Sequence, residues 1–175
     1  MIARCPSCAA EVEEDAKRCP ACHWDFAARR APAKLGIDDA AAEVLKRALK
    51  LEDFFPEFTA EIAQKVFPRS GLFAYADKGS LVEQGESGRD LFIVCHGSVQ
   101  VERGDGTATK VLATLGAGSL LGEIALIKNV PRTATVTAVE QAQIYRLDFN
   151  DLQYLLANNK ALGDHLRELA SSRSR

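Results

Sequence analysis

Between Leu121 and Val136 a glycine, an acid and an arginine stand at a spacing that could hold a small anion. The stretch reads Leu-Gly-Glu-Ile-Ala-Leu-Ile-Lys-Asn-Val-Pro-Arg-Thr-Ala-Thr-Val. Gly122 lets the backbone come close to a ligand. Gly122, Glu123, Ile124 and Ala125 can open a helical turn whose first N–H groups have no partner within the turn, an arrangement that favours an anion. Arg132, nine residues after Glu123, adds a planar, permanently charged fork suited to phosphate oxygens. Glu123 would repel a phosphate unless it had a separate task, and accepting a hydrogen bond from a sugar hydroxyl is such a task. This chemistry suits a ligand with one phosphate and one ribose. The plainer reading is a helical turn with a surface arginine.

A second group capable of chemistry lies near the N-terminus. Four of the five cysteines fall in Cys5-Pro-Ser-Cys8 and Cys19-Pro-Ala-Cys22. Two residues between the members of each pair let both thiolates grip one tetrahedral Zn²⁺. Disulfides and a redox Cys-x-x-Cys are the other readings; reducing surroundings count against the first and the lack of a βαβ context against the second. The arrangement resembles the small zinc ribbons found at bacterial N-termini, with a hairpin expected across Ala9 to Arg18. His23 adjoins a ligand and is expected to stand by, while Trp24 and Phe26 cover the metal. A segment this short has no other core, so the metal supplies most of its folding energy.

Composition bounds the rest. The chain has 175 residues, 47% hydrophobic and 26% charged, with a net charge of −2. That is enough for one cored domain and a small appendage, and it gives no electrostatic case for nucleic acid. No apolar run approaches the roughly 20 residues that span a bilayer, and no signal-peptide layout precedes the cysteines. A cytoplasmic protein with no membrane partner is expected.

The elements that must position these groups follow in order. Ala27 to Gly36 reads as a linker. Asp38 can cap a helix running to about Leu51, and Glu57 to Val66 offers a second. From about Leu72 the pattern turns to short strands, including Leu91–Val94, His96–Val101, Lys110–Leu115, Thr133–Val139 and Gln143–Leu147. Gly104-Asp105-Gly106 signals a hairpin. Helices over Asn150–Ala157 and Ala161–Leu169 follow, then a polar tail from Ser171 to Arg175. Domains are expected at 1–27 (zinc ribbon), 28–52 (linker and connecting helix) and 53–175. Cys95 reads as a core thiol, and His96 as a turn or surface residue.

The Gly-Glu-Ile-Ala-Leu…Pro-Arg-Thr-Ala core strongly resembles the phosphate-binding cassette of cyclic nucleotide-binding domains, although Leu121 stands where an aromatic is usual. The Leu-Phe-Ile-Val…Gly-Ser-Val run and the order of Gly85, Gly97, Gly118 and Gly122 resemble the same family. The resemblance covers roughly Phe54 to Ala170. It implies a fold that is mainly β with flanking α-helices, a β jelly-roll barrel beside the ribbon. Cupin enzymes are rival jelly rolls, but the three histidines here are scattered and make no metal cluster.

By this resemblance Arg132 pairs with the cyclic phosphate, aided by the N–H groups of Gly122 and Ala125. Glu123 accepts the ribose 2′-hydroxyl, and Thr133 bonds phosphate or a guanine amino group. Apolar strand residues such as Val111 meet the purine. Ala113 stands where some guanine-selective members carry arginine, which leans toward cyclic AMP over cyclic GMP. The last helix acts as a lid in the family, with His165 and Arg167 expected on its surface. Neither a helix-turn-helix domain after Leu147 nor an attached enzyme is expected. The expected protein is a sensor that signals to an unidentified protein partner and can form a homodimer. The alternative is a scaffold or nucleic-acid-associated regulator whose jelly roll binds no nucleotide.

Overall fold

The computed structural model describes residues 1–173, in two compact units, Met1–Ala33 and Lys34–Arg175.

In the smaller unit, β1 (Ile2–Arg4) pairs with β2 (Glu11–Glu13). This hairpin therefore brackets the first cysteine pair, where the sequence pointed to the interval between the pairs. The turn closes by hydrogen bonds between Cys5 and Ala10 and between Ala9 and Cys5. Cys5, Val12 and Cys19 form a small core against which Trp24 and Phe26 pack, as expected of a segment with little else to bury.

The larger unit is a sheet with helices on it. Its order is β3 (Ala33–Leu35), β4 (Gly71–Tyr75), β9 (Thr135–Leu147), β6 (Leu91–Gly104) and β7 (Thr109–Gly116). Two short strands lie off this path: β5 (Ser80–Val82) on β9 and β8 (Leu120–Leu121) on β6. The fold is mainly β with flanking helices. The end of the expected linker is strand β3, because Ala33–Leu35 supplies an edge to β4.

Segments that read as separate strands are continuous. Leu91–Val94 and His96–Val101 join in β6, whose pairing with β9 slips on either side of His96. Gly97 makes this possible: it has φ +82°, and a Cβ there would lie 2.6 Å from the Gln141 carbonyl oxygen. Only glycine fits that crossing. Thr133–Val139 and Gln143–Leu147 likewise fuse, apart from Thr133 and Ala134, into β9.

The unbroken apolar run Leu91–Val94 has a physical reason. Leu91 and Ile93 face a core with Leu45, Leu49, Phe67, Leu147, Leu152 and Leu166, contributed largely by helices. Phe92 and Val94 face the second core, with Leu81, Val99, Leu121, Val136 and Ile144. A strand buried on both faces has no polar side to alternate.

Helix α1 is Asp39–Ala48, capped by the Asp38 carboxylate on the Ala41 N–H at 2.8 Å. It stops short of Leu51 because Lys50 turns to φ +56°. Helix α2 is Ala60–Val66, starting at the Thr59 cap and so later than Glu57. After the short α3 (Glu123–Lys128) and β9 come α4 (Phe149–Asn158) and α5 (Lys160–Arg173). The last helix thus runs through Ser171 and Ser172, which had read as tail; Ser174 and Arg175 lie outside the described residues.

Candidate functional site

Gly122 shapes the site first. It caps α3 in the left-handed region, with φ +95°. A Cβ there would lie 2.7 Å from the Asp90 carbonyl oxygen and 2.8 Å from Arg132 Nη1. Both the backbone conformation and the space exclude a side chain, so the arginine and the start of α3 can close on each other.

Glu123 and Arg132 are charged yet 2% and 6% exposed. The Arg132 guanidinium donates to the backbone carbonyls of Gly122 (3.4 Å) and Asp90 (3.1 Å) and lies over the Phe92 ring, 5.6 Å from its centre. Asp90 is itself set by an ion pair with Arg146 and by accepting the Phe149 N–H. Strand β9, helix α4 and the loop before β6 therefore jointly place the arginine.

These groups line one cavity of about 330 Å³, within the range of small-ligand sites. The structure brings all six sequence-predicted residues to its wall: Gly122, Glu123, Ile124, Ala125, Arg132 and Thr133. Apolar surface comes from Val82, Val101, Leu112, Leu115 and Val136. Val111, expected against the purine, is instead 52% exposed. The register explains this: Val101 pairs with Ala113 but Glu102 with Val111, so Leu112 is the extra residue of a bulge. Leu112 and Ala113 line the cavity in its place.

Two wall residues carry no signal in the sequence. Arg173, in the last described turn of α5, donates Nη1 to Glu123 Oε1 at 2.9 Å and to the Leu120 carbonyl at 2.6 Å. Arg103, on β6, donates Nε to the Thr133 carbonyl at 3.1 Å. The first lay in an apparent tail and the second on a strand of mixed polarity; only the tertiary fold brings them to the motif. Of the other residues weighed, His165 is half-buried, and burial, then the Lys50 charge, lowers its pKa. Arg167 is exposed and pairs with Asp164. His96 is exposed. Cys95 is buried, and burial pushes its thiol up to about 12.

In the smaller unit the Sγ atoms of Cys5, Cys8, Cys19 and Cys22 all lie within 4.8 Å of one another. Cys5–Cys22 and Cys8–Cys19 stand 3.6 and 3.7 Å apart. A tetrahedron with metal–sulfur bonds of ~2.3 Å has edges of about 3.8 Å, so the four thiols fit a single thiophilic ion. The Ala21 N–H donates to Cys19 Sγ at 3.3 Å, the kind of outer contact that orients a ligand sulfur. His23 is buried beside the cluster with φ +64°, its N–H on the Cys19 carbonyl.

Comparison with known proteins agrees with this geometry. Residues 73–159 match the family model of the cyclic nucleotide-binding domain, so that stretch of the chain is a domain of this family. A cGMP-dependent protein kinase (egl-4) of Caenorhabditis briggsae is 32% identical over 117 residues, 66% of this chain and 15% of its own. The human cyclic nucleotide-gated channel beta-3 is 36% identical over 61% of this chain and 13% of its own. The chain thus spans only about 15% of the length of such relatives. Among solved structures, a cyclic nucleotide-binding domain from Methylobacillus flagellatus superposes with TM-score 0.60 at 27% identity, covering 80% of this chain and 81% of the other. The regulatory domain of Toxoplasma gondii PKA, solved with cAMP, gives 0.62 at 27%, covering 75% and 49%. No helix among the described residues is long and apolar enough to cross a membrane.

Proposed function

We propose that this chain is a sensor that takes a cyclic purine nucleotide, cyclic AMP or cyclic GMP, into the Glu123–Arg132 cavity and passes the event to a protein partner. The observation that carries this is the pair itself: an acid and a base, both almost wholly buried, on the wall of one cavity of ligand size. In this reading Arg132 meets the cyclic phosphate, with the first-turn N–H groups of Gly122 and Ala125 beside it. Glu123 accepts the ribose 2′-hydroxyl through Oε2, since Oε1 already holds Arg173. Ile124 shapes the turn, Thr133 supplies a hydroxyl, and Val101, Leu112 and Leu115 offer apolar surface to the base. Nothing in this set performs a reaction; it holds a ligand.

Output would leave through α5, whose Arg173 touches the ribose-binding acid, and through α1. The four cysteines would hold Zn²⁺, which would fix the small unit as a surface for a partner. A homodimer would give the signal a second route. The scaffold reading gives no account of why Glu123 and Arg132 share the wall of one cavity with the glycine-capped turn of α3.

Calorimetry on the purified, zinc-loaded chain with cyclic AMP and cyclic GMP tests the proposal. Binding of at least one is expected, and Arg132→Ala should weaken it by about 2–5 kcal/mol, the scale for removing one partner of a desolvated charge pair. A folded chain that binds neither nucleotide returns the protein to the scaffold reading. Affinity for nucleic acid that falls steeply with salt would point to the regulator reading.

A further inference from the structure

Of the four charged residues on the cavity wall, Arg103 alone has no part in the ribose and phosphate contacts or in holding Glu123. Arg103 stands on β6, two residues beyond Val101, whose partner across the strand pair is Ala113. Its Nε–H is committed to the Thr133 carbonyl at 3.1 Å, which fixes the direction of the guanidinium. Among the described residues that guanidinium makes no other hydrogen bond and no ion pair. Its terminal N–H groups are therefore available on a wall shared with Val101, Leu112 and Ala113, all apolar.

An arginine is donor-only, and its two terminal nitrogens suit two acceptors side by side. Among purines that is the O6/N7 edge of guanine. Adenine offers N7 beside an amino group, which would set donor against donor. On the same wall the Thr133 hydroxyl can accept from the 2-amino group of guanine, which adenine lacks. Thr133 and Arg103 are tied together by the hydrogen bond between them, so the two would contact the base as one unit.

We infer that Arg103 reads the base and that the cavity selects guanine, so the ligand is cyclic GMP rather than cyclic AMP. This rests on the nucleotide-binding reading above. It displaces the sequence-based lean toward cyclic AMP, which followed from Ala113 alone: the arginine arrives from the adjacent strand.

The test is calorimetry on the full, zinc-loaded chain with cyclic GMP, cyclic IMP and cyclic AMP. Cyclic GMP is expected to bind roughly tenfold tighter than cyclic AMP or better, the range for one bidentate base contact. Cyclic IMP keeps O6 and N7 without the 2-amino group and should retain most of that preference. Arg103→Ala should bring cyclic GMP and cyclic AMP to within about twofold of each other, chiefly through the loss of cyclic GMP affinity. Arg103→Gln, which both donates and accepts, should tip the ratio toward cyclic AMP. Equal binding of both nucleotides by the unsubstituted chain overturns the inference without any variant. Equal weakening of both by Arg103→Ala overturns it too, since that would place the guanidinium on the phosphate. If a folded chain binds none of the three, the nucleotide-binding reading itself fails, a result distinct from binding without preference.

Discussion

Arg173 and Glu123 lie 50 residues apart and share a single hydrogen bond at 2.9 Å. The acid is almost wholly buried, whereas the arginine side chain keeps 29% exposure. A carboxylate has acceptor room for a second donor, so the contact orients Glu123 without closing it to a hydroxyl. Arg173→Ala should therefore weaken nucleotide binding by about 1.5–3 kcal/mol, the scale of a hydrogen bond to a charged group. The last turn of α5 should also exchange its amide hydrogens faster. Calorimetry and hydrogen exchange measure the two effects; tighter binding by the variant would mean that Arg173 competes with the ribose. The six motif residues were legible because Gly122 to Thr133 is a local sequence whose chemistry is carried by residue type and spacing. Arg103 and Arg173 were not, because each reaches the motif through strand register or helix packing, which a local pattern does not encode.

Elements differ in how plainly their sequences declare them. Helix α1 announced its start through Asp38, a side chain that satisfies an otherwise orphan N–H. Its end was less visible, because a lysine, Lys50, takes a left-handed conformation that its residue type does not suggest. The strands were legible as apolar runs but their joins were not, since Gly97 reads as a break when it is a bend within one strand. In the small unit the doubled Cys-x-x-Cys was the clearest signal, while its hairpin was misplaced because three-residue strands carry almost no periodicity. Trp24 is the only tryptophan, so its fluorescence reports on that unit. If Zn²⁺ holds the unit together, a strong chelator should change the Trp24 emission while sheet circular dichroism remains. Structural zinc contributes ~10–16 kcal/mol to such folds. Unchanged emission after metal is removed would count against the zinc reading.

Across the larger unit as a whole, one side chain ties the leading and trailing helices. Asn159 is 1% exposed. Its Nδ2 donates to the carbonyls of Leu49 (3.1 Å) and Lys50 (3.0 Å), and its Oδ1 accepts the Leu162 N–H at 3.1 Å. The end of α1, the end of α4 and the start of α5 thus meet at one amide. Asn159→Ala removes a helix cap and strands two carbonyls, a loss of about 2–4 kcal/mol in urea unfolding. A cost below about 0.5 kcal/mol would mean that water replaces the amide without penalty.

With 14 residues at ~1.5 Å each, α5 is a lever about 21 Å long. Its fulcrum is Asn159 and its far tip is Arg173. A swing of about 10° at the fulcrum would carry the tip about 3.7 Å by that length, which exceeds the 2.9 Å contact with Glu123. Leu166 and Ala170, buried along the same helix, would have to shift with the tip, so release of the acid and repacking of that face would occur together. The contact at the tip can behave as an on–off switch even though the motion at the base is slight.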